Sequence, residues 1–175
     1  MTDAYRVGQD GACPRCESAL VRLDRGGVAM DECGACGGAF VTASVLEQLA
    51  TVGDLRAHLR AELPARSRYV EQSVRYLRCP RCQRAMNRKV FGRVSGVVVD
   101  VCKDDGVFFD AGEIAATLNF IDDGGLARQA ALEAREKAER QKEARRPSAI
   151  PAMPSSLGAV VEGTPLLELF VELFR

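Results

Sequence analysis

Apolar and polar positions alternate in two separated stretches of the chain. VRLDRGGVAM (Val21 to Met30) and KVFGRVSGVVV (Lys89 to Val99) each place a strand-like run on either side of a turn, Gly26-Gly27 in one and Ser95-Gly96 in the other. Alternation matches the two-residue period of a strand and glycine suits the turn, so each stretch predicts a β-hairpin. The period then changes. Val45, Leu46, Leu49 and Val52 recur at helical spacing after Thr42, and Ile114, Leu118 and Ile121 do so after Asp110. Thr42 occupies the expected cap position of the first helix. Asp110 with Glu113 forms an Asp-x-x-Glu pattern able to satisfy the first free amides of the second, so both are read as caps and not as catalytic acids. Residues 54–63 predict another short helix, stopped by Pro64.

The hairpins lie inside an internal repeat. One copy runs CPRCESALVRLDRGGVAMDECGACGGAFVTASVL and the other CPRCQRAMNRKVFGRVSGVVVDVCKDDGVFFDAGEI. All seven cysteines fall within them: Cys13, Cys16, Cys33 and Cys36, then Cys79, Cys82 and Cys102. An odd number without a signal sequence argues against a disulfide framework and for thiols that bind metal. Cys-x-x-Cys lets two thiolates of one tight knuckle reach a single ion. The 16 residues between Cys16 and Cys33, or 19 between Cys82 and Cys102, suffice for a hairpin that brings a second knuckle opposite the first. Each copy therefore reads as a zinc ribbon. In the second copy the fourth cysteine position holds Asp105. A carboxylate is an acceptable zinc ligand, though weaker than sulfur in a structural site, so the site is either retuned or lost. The preferred expectation is one tight zinc, with a second that is weaker or absent.

Composition changes this picture only at the ends. A chain of 175 residues with 6% aromatic residues and no Trp does not guarantee one large core, which fits small modules. The predicted class is small α+β. A first ribbon plus helix spans 10–50, a helical connector 51–78 and a second ribbon plus helix 79–125. A charged helix (126–146), a Pro-rich flexible linker (147–165) and an apolar helix, LLELFVELFR (166–175), follow. Lys plus Arg and Asp plus Glu both total 24, so no global charge recruits nucleic acid or an anionic membrane. No basic-then-apolar leader and no membrane-length apolar run is present, and the chain is expected to be soluble and cytoplasmic.

CPRC, the glycine turn, Asp-x-Cys-x-x-Cys-Gly-Gly and the capped helix resemble the bacterial transcription factor zinc-finger family, named for the zinc ribbon of transcription factor IIB. The resemblance extends over both copies, roughly Ala12 to Gly125. It implies a zinc-ribbon fold and zinc binding, and less directly a role in transcription, since ribbons also serve as protein-docking modules. In that family the aromatic after the second knuckle is usually Trp, where this chain has Phe40 and Phe108. The family's fourth ligand is Cys or His, in place of which this chain carries Asp105.

No paired carboxylates, Ser-His-Asp arrangement or phosphate-cradling Gly loop is present, so no enzymatic function is expected. His58, the only histidine, lies far in sequence from either knuckle and reads as an ordinary helix residue. Arg66, Arg68, Arg75 and Arg78, interleaved with Tyr69 and Tyr76, offer a candidate phosphate-binding stripe, although a solvated helix between ribbons is the plainer reading. Residues 1–50 hold seven acidic side chains against four basic ones, which suits phosphate poorly. The leading expectation is a zinc-binding adaptor that docks a protein partner through Leu166–Arg175. A nucleic-acid-binding transcriptional regulator is the alternative, and zinc sensing or transfer at the second site a lesser one.

Overall fold

The computed structural model describes residues 11–70 and 73–144. Both alternating stretches form hairpins: β1 (Leu20–Arg25) against β2 (Val28–Cys33), and β4 (Asn87–Phe91) against β5 (Val97–Cys102), each antiparallel. Gly26 and Gly27 turn the first with φ of +61° and +87°, values that a Cβ would strain. Each hairpin gains a third strand, β3 (Ala39–Thr42) beside β2 and β6 (Gly106–Phe109) beside β5.

These two short strands also pair with each other, Ala39 opposite Phe109 and Thr42 opposite Gly106. The repeats therefore share one six-stranded antiparallel sheet in the order β1-β2-β3-β6-β5-β4, symmetric about the β3–β6 seam. The two copies follow one another along the chain as expected, but their strands join in a single sheet. A three-stranded ribbon alone would leave an edge of unpaired N–H and C=O groups, and mating the two edges satisfies both.

The two-residue period sorts the faces of the shared sheet. Ala39, Val41, Val107 and Phe109 join Met30 and Val99 in a core under the helices, whereas Phe40 and Phe108 turn to the other face, among the cysteines. Helices α1 (Ala43–Thr51) and α3 (Glu113–Asp122) follow β3 and β6, and bury Leu46 and Leu49, or Ile114 and Leu118, in that core. Each such side chain contributes about 1.5–3 kcal/mol.

Helix α2 (Gly53–Glu62) ends where Pro64 approaches, so the connector expected to be helical over 51–78 is helical only through Glu62. Beyond it the described residues, 64–70 and 73–78, are not helical and form a strap tied at Tyr69, whose N–H donates to the Ala111 carbonyl at 3.0 Å. Helix α4 (Gly125–Ala144) is the expected charged helix, anchored by buried Leu126 and Gln129. The linker 147–165 and the apolar segment 166–175 lie outside the described residues. Among the described residues no helix is long and apolar enough to cross a membrane.

Gly106 shows how tightly the seam is built. Its φ is +151°, and a Cβ there would collide with the Val41 carbonyl oxygen on β3. Gly106→Ala is expected to cost about 2 kcal/mol, read as a lowered denaturation midpoint of the zinc-loaded protein.

Candidate metal centres

The first knuckle of each repeat has the same backbone. Cys13 N–H donates to Ser18 O and Glu17 N–H to Cys13 O, at 2.7 and 2.8 Å; Cys79 N–H donates to Arg84 O and Gln83 N–H to Cys79 O, at 2.8 and 3.0 Å. Glu17 and Gln83 take matching left-handed conformations, with φ of +64° and +60°, and bridges Ala12–Ala19 and Arg78–Ala85 close the two loops. The CPRC turn thus folds alike wherever it occurs, with thiols aimed at the end of β2 or β5.

All eight expected donors converge. Sγ of Cys13, Cys16, Cys33 and Cys36 form one group, and Sγ of Cys79, Cys82 and Cys102 with a carboxylate oxygen of Asp105 form the other; within each, all donor atoms lie within 4.8 Å of one another. Cys13 Sγ is 3.5 Å from Cys36 Sγ, and Cys16 Sγ 3.4 Å from Cys33 Sγ. Asp105 Oδ2 sits 3.1 Å from Cys102 Sγ and 3.3 Å from Cys79 Sγ, the position a fourth sulfur would occupy. Four sulfurs, or three sulfurs and a carboxylate oxygen, make a donor set suited to zinc, and both clusters are zinc sites.

The second knuckles differ. Phe40 lies opposite Asp31 and Phe108 opposite Asp100, so the two rings are equivalent, yet Phe40 follows Gly37-Gly38-Ala39 in the first repeat and Phe108 follows Gly106-Val107 in the second. The turn carrying Asp105 is one residue shorter. Gly38 is also where a Cβ would strike the Phe108 ring, which lets the two phenylalanines meet across the seam.

The local chemistry is that of thiols in need of a cation. Burial pushes the Cys13 and Cys79 thiols well above their ordinary range and Cys36 up to about 11. Exposed Cys16 is instead held down to about 6 by hydrogen bonding with Ser18. Burial pushes the Asp105 carboxyl up, but hydrogen bonds from Cys82, Cys102 and Cys79 outweigh it and leave the group below its usual value. Arg84 adds positive charge at the rim, donating from Nε to Cys82 Sγ at 3.4 Å and pairing with Asp104.

Neither expected helix cap acts through its side chain as predicted. Thr42 occupies the N-cap of α1, but its hydroxyl bonds Ser44 Oγ at 3.1 Å. Gly112, at φ +77°, caps α3, and the Asp110 carboxylate binds the Arg15 guanidinium of the other repeat at 2.8 and 2.5 Å. The reverse half of the predicted box does form: Asp110 N–H donates to Glu113 Oε2 at 2.9 Å. Burial raises the Glu113 pKa to about 7, with the nearby Asp110 and Asp100 charges adding to the rise while the Asp110 N–H and Arg68 oppose it.

Because the folded state holds this proton above the ordinary value of 4.5, Glu113 favours folding below that value, and the contribution is lost as pH rises through about 7. Glu113→Gln is expected to be about 3 kcal/mol more stable than the parent at pH 8, the gap narrowing as pH falls. Denaturation at fixed free zinc reads the difference.

His58 is exposed on α2, beside the Gly26 turn, and belongs to neither cluster. The arginine stripe is not a helix face. Arg68 donates to the Gly96 carbonyl at 2.8 Å, Arg78 to the Gln83 carbonyl at 3.1 Å, and the Arg66 side chain packs where a Gly37 Cβ would stand. Tyr69 lies under Arg15, 5.0 Å from its guanidinium carbon to the ring centre.

Residues 12–51 match the family model described as the transcription factor zinc-finger, of the TFIIB zinc-ribbon type. The geometry of the first cysteine cluster agrees with that match and places a zinc-ribbon domain over residues 12–51. No curated protein and no solved structure matches the chain.

Proposed function

We propose that this protein is a non-enzymatic zinc-binding adaptor that works by docking another protein. The observation that carries this reading is the strap after α2. Its arginines turn back onto the protein's own carbonyls and turns, while Val70, Val74 and Tyr76 stand 79%, 68% and 76% exposed. Large apolar side chains held outward on a segment anchored at Tyr69 and Leu77 offer contact area to a protein surface. The four protein donors at each cluster further support a structural role for the metal, since catalytic zinc keeps an open position.

The second reading is a nucleic-acid-binding regulator, favoured by the family match over residues 12–51. One experiment separates them. The zinc-loaded chain is titrated with random duplex and single-stranded DNA at several salt concentrations, and its protein complexes are captured after nuclease treatment. The adaptor reading expects weak nucleic-acid binding that is insensitive to Arg66→Ala, Arg68→Ala and Arg75→Ala combined. It also expects a nuclease-resistant complex that Val74→Ser with Tyr76→Ser abolishes. Tight binding with a steep salt slope that flattens in the triple variant installs the regulator instead.

A further inference from the structure

The arginine in each CPRC knuckle reaches into the opposite repeat. Arg15, between Cys13 and Cys16, reaches across the seam. Its Nε and an outer nitrogen hold both carboxylate oxygens of Asp110 at 2.8 and 2.5 Å, and that outer nitrogen lies 3.8 Å from Asp100. All three side chains are buried, and both carboxylates belong to the second repeat. Arg81, between Cys79 and Cys82, makes the reciprocal crossing: its outer nitrogen is 3.5 Å from Asp31 of the first repeat, and its guanidinium carbon stands 5.5 Å from the Phe40 ring centre.

The receiving aspartates are placed to matter. Asp31 lies two residues before Cys33 and Asp100 two before Cys102, each on the strand that delivers the third thiol. Asp31 is paired across the sheet with Phe40, Phe40 with Phe108, and Phe108 with Asp100. A continuous run of buried side chains therefore joins one knuckle's arginine to the other's.

We propose that Asp110 and Asp31 are positioning residues for the metal site of the opposite repeat, so that the two zinc sites bind as a coupled pair. The inference rests on both clusters being zinc sites. A filled site fixes its CPRC turn and with it the arginine that neutralises the buried aspartate across the seam. An emptied first site releases that turn and strands Asp110 without its bidentate partner, next to Asp100 on the strand that carries the second site's third thiol; an emptied second site withdraws Arg81 from Asp31, on the strand that carries Cys33, and leaves that carboxylate to Arg22 at 3.2 Å. Coupling of this kind is reciprocal, so each site tightens the other by one common factor even though the Arg15 contact is the closer and more buried of the two.

Cobalt titration of the full chain against a competing chelator tests this, because four-thiolate and three-thiolate sites give separate ligand-field and charge-transfer bands. In the parent chain, first-site affinity is measured with the second site intact and again with Cys79→Ser plus Cys82→Ser. Disabling the second site is expected to weaken the first about tenfold, within the 5–150-fold range typical of coupled sites. In an Asp110→Asn background the first site is expected to start weaker, and the same disabling changes to cost it less than about twofold. Asp31→Asn, on the more exposed contact, is the milder variant and is expected to lower the second site's affinity. First-site affinity indifferent to the second site in the parent chain overturns the proposal, as does a dependence that survives intact in both aspartate variants. Failure of either cluster to give a thiolate-to-cobalt band overturns the zinc reading along with it.

Discussion

Removal of both zinc ions is expected to abolish the cooperative fold, lowering the melting temperature by more than about 20 °C or erasing the transition. Structural zinc in small peptides contributes roughly 10–16 kcal/mol, as much as the whole stability of a typical domain, and 1 kcal/mol moves the midpoint of a chain this size by about 2–4 °C. The geometry makes the loss global. Cys13, Cys33, Cys79 and Cys102 pack with Phe40, Phe108, Leu77 and Met86 in a second core, on the opposite face of the same strands that carry the first. Without metal, Cys13 and Cys79 are buried thiols raised far above their ordinary pKa values, or thiolates with no counter-charge, and neither state holds two knuckles together. Circular dichroism during chelation, with a chromophoric dye counting zinc released, reads both quantities. An unchanged melt after two zinc ions are counted out would assign the stability to the helix-covered core alone.

What the chain disclosed before its structure was known follows from how local each signal is. The knuckles, the hairpins and the place of Asp105 beside the second cysteine cluster are set within a few residues of spacing, and they stand where expected. Helix α4 was legible from composition, since twenty residues rich in Ala, Glu and Arg without an internal Gly or Pro have few other options. The seam was not legible. AFVT and GVFF are four-residue apolar runs adjoining helices, too short to assign, and their pairing with each other is a tertiary fact about two edges in need of partners. The strap was misread because arginines at roughly helical intervals fit a solvated helix as well as an extended segment. Asp110 was misread because Asp-x-x-Glu before an apolar run has a local explanation, and only the folded chain brings Arg15 to it. A clue lay in the repeat itself: both copies carry Arg in CPRC and Asp in Asp-x-Cys, and each of these arginines approaches the aspartate of the opposite copy.

The second site is expected to release its ion first, and Asp105 decides by how much. It contributes a hard carboxylate oxygen where the first site has a fourth sulfur, on a turn shortened by one glycine, so zinc there is held by a less favourable donor set. Asp105→Ala leaves three thiolates with a gap that water can enter, and is expected to weaken the second site by about three orders of magnitude, the range seen when one partner of a buried charge pair is removed. Asp105→Cys restores the donor set of the first repeat and is expected to bring the two sites to within about tenfold of each other. Asp105→Asn keeps the shape but removes the charge, so it should fall near the alanine variant if the carboxylate is a ligand, and near the parent if it only shapes the turn. Stepwise chelation with dye detection orders the ions, and cobalt spectra assign each step, since the cysteine variant gains a thiolate band at the second site. Equal retention of both ions by the parent chain, with alanine and cysteine variants indistinguishable from it, would mean that the second knuckle is closed by its packing against Phe108 and Met86 and that Asp105 is a spectator.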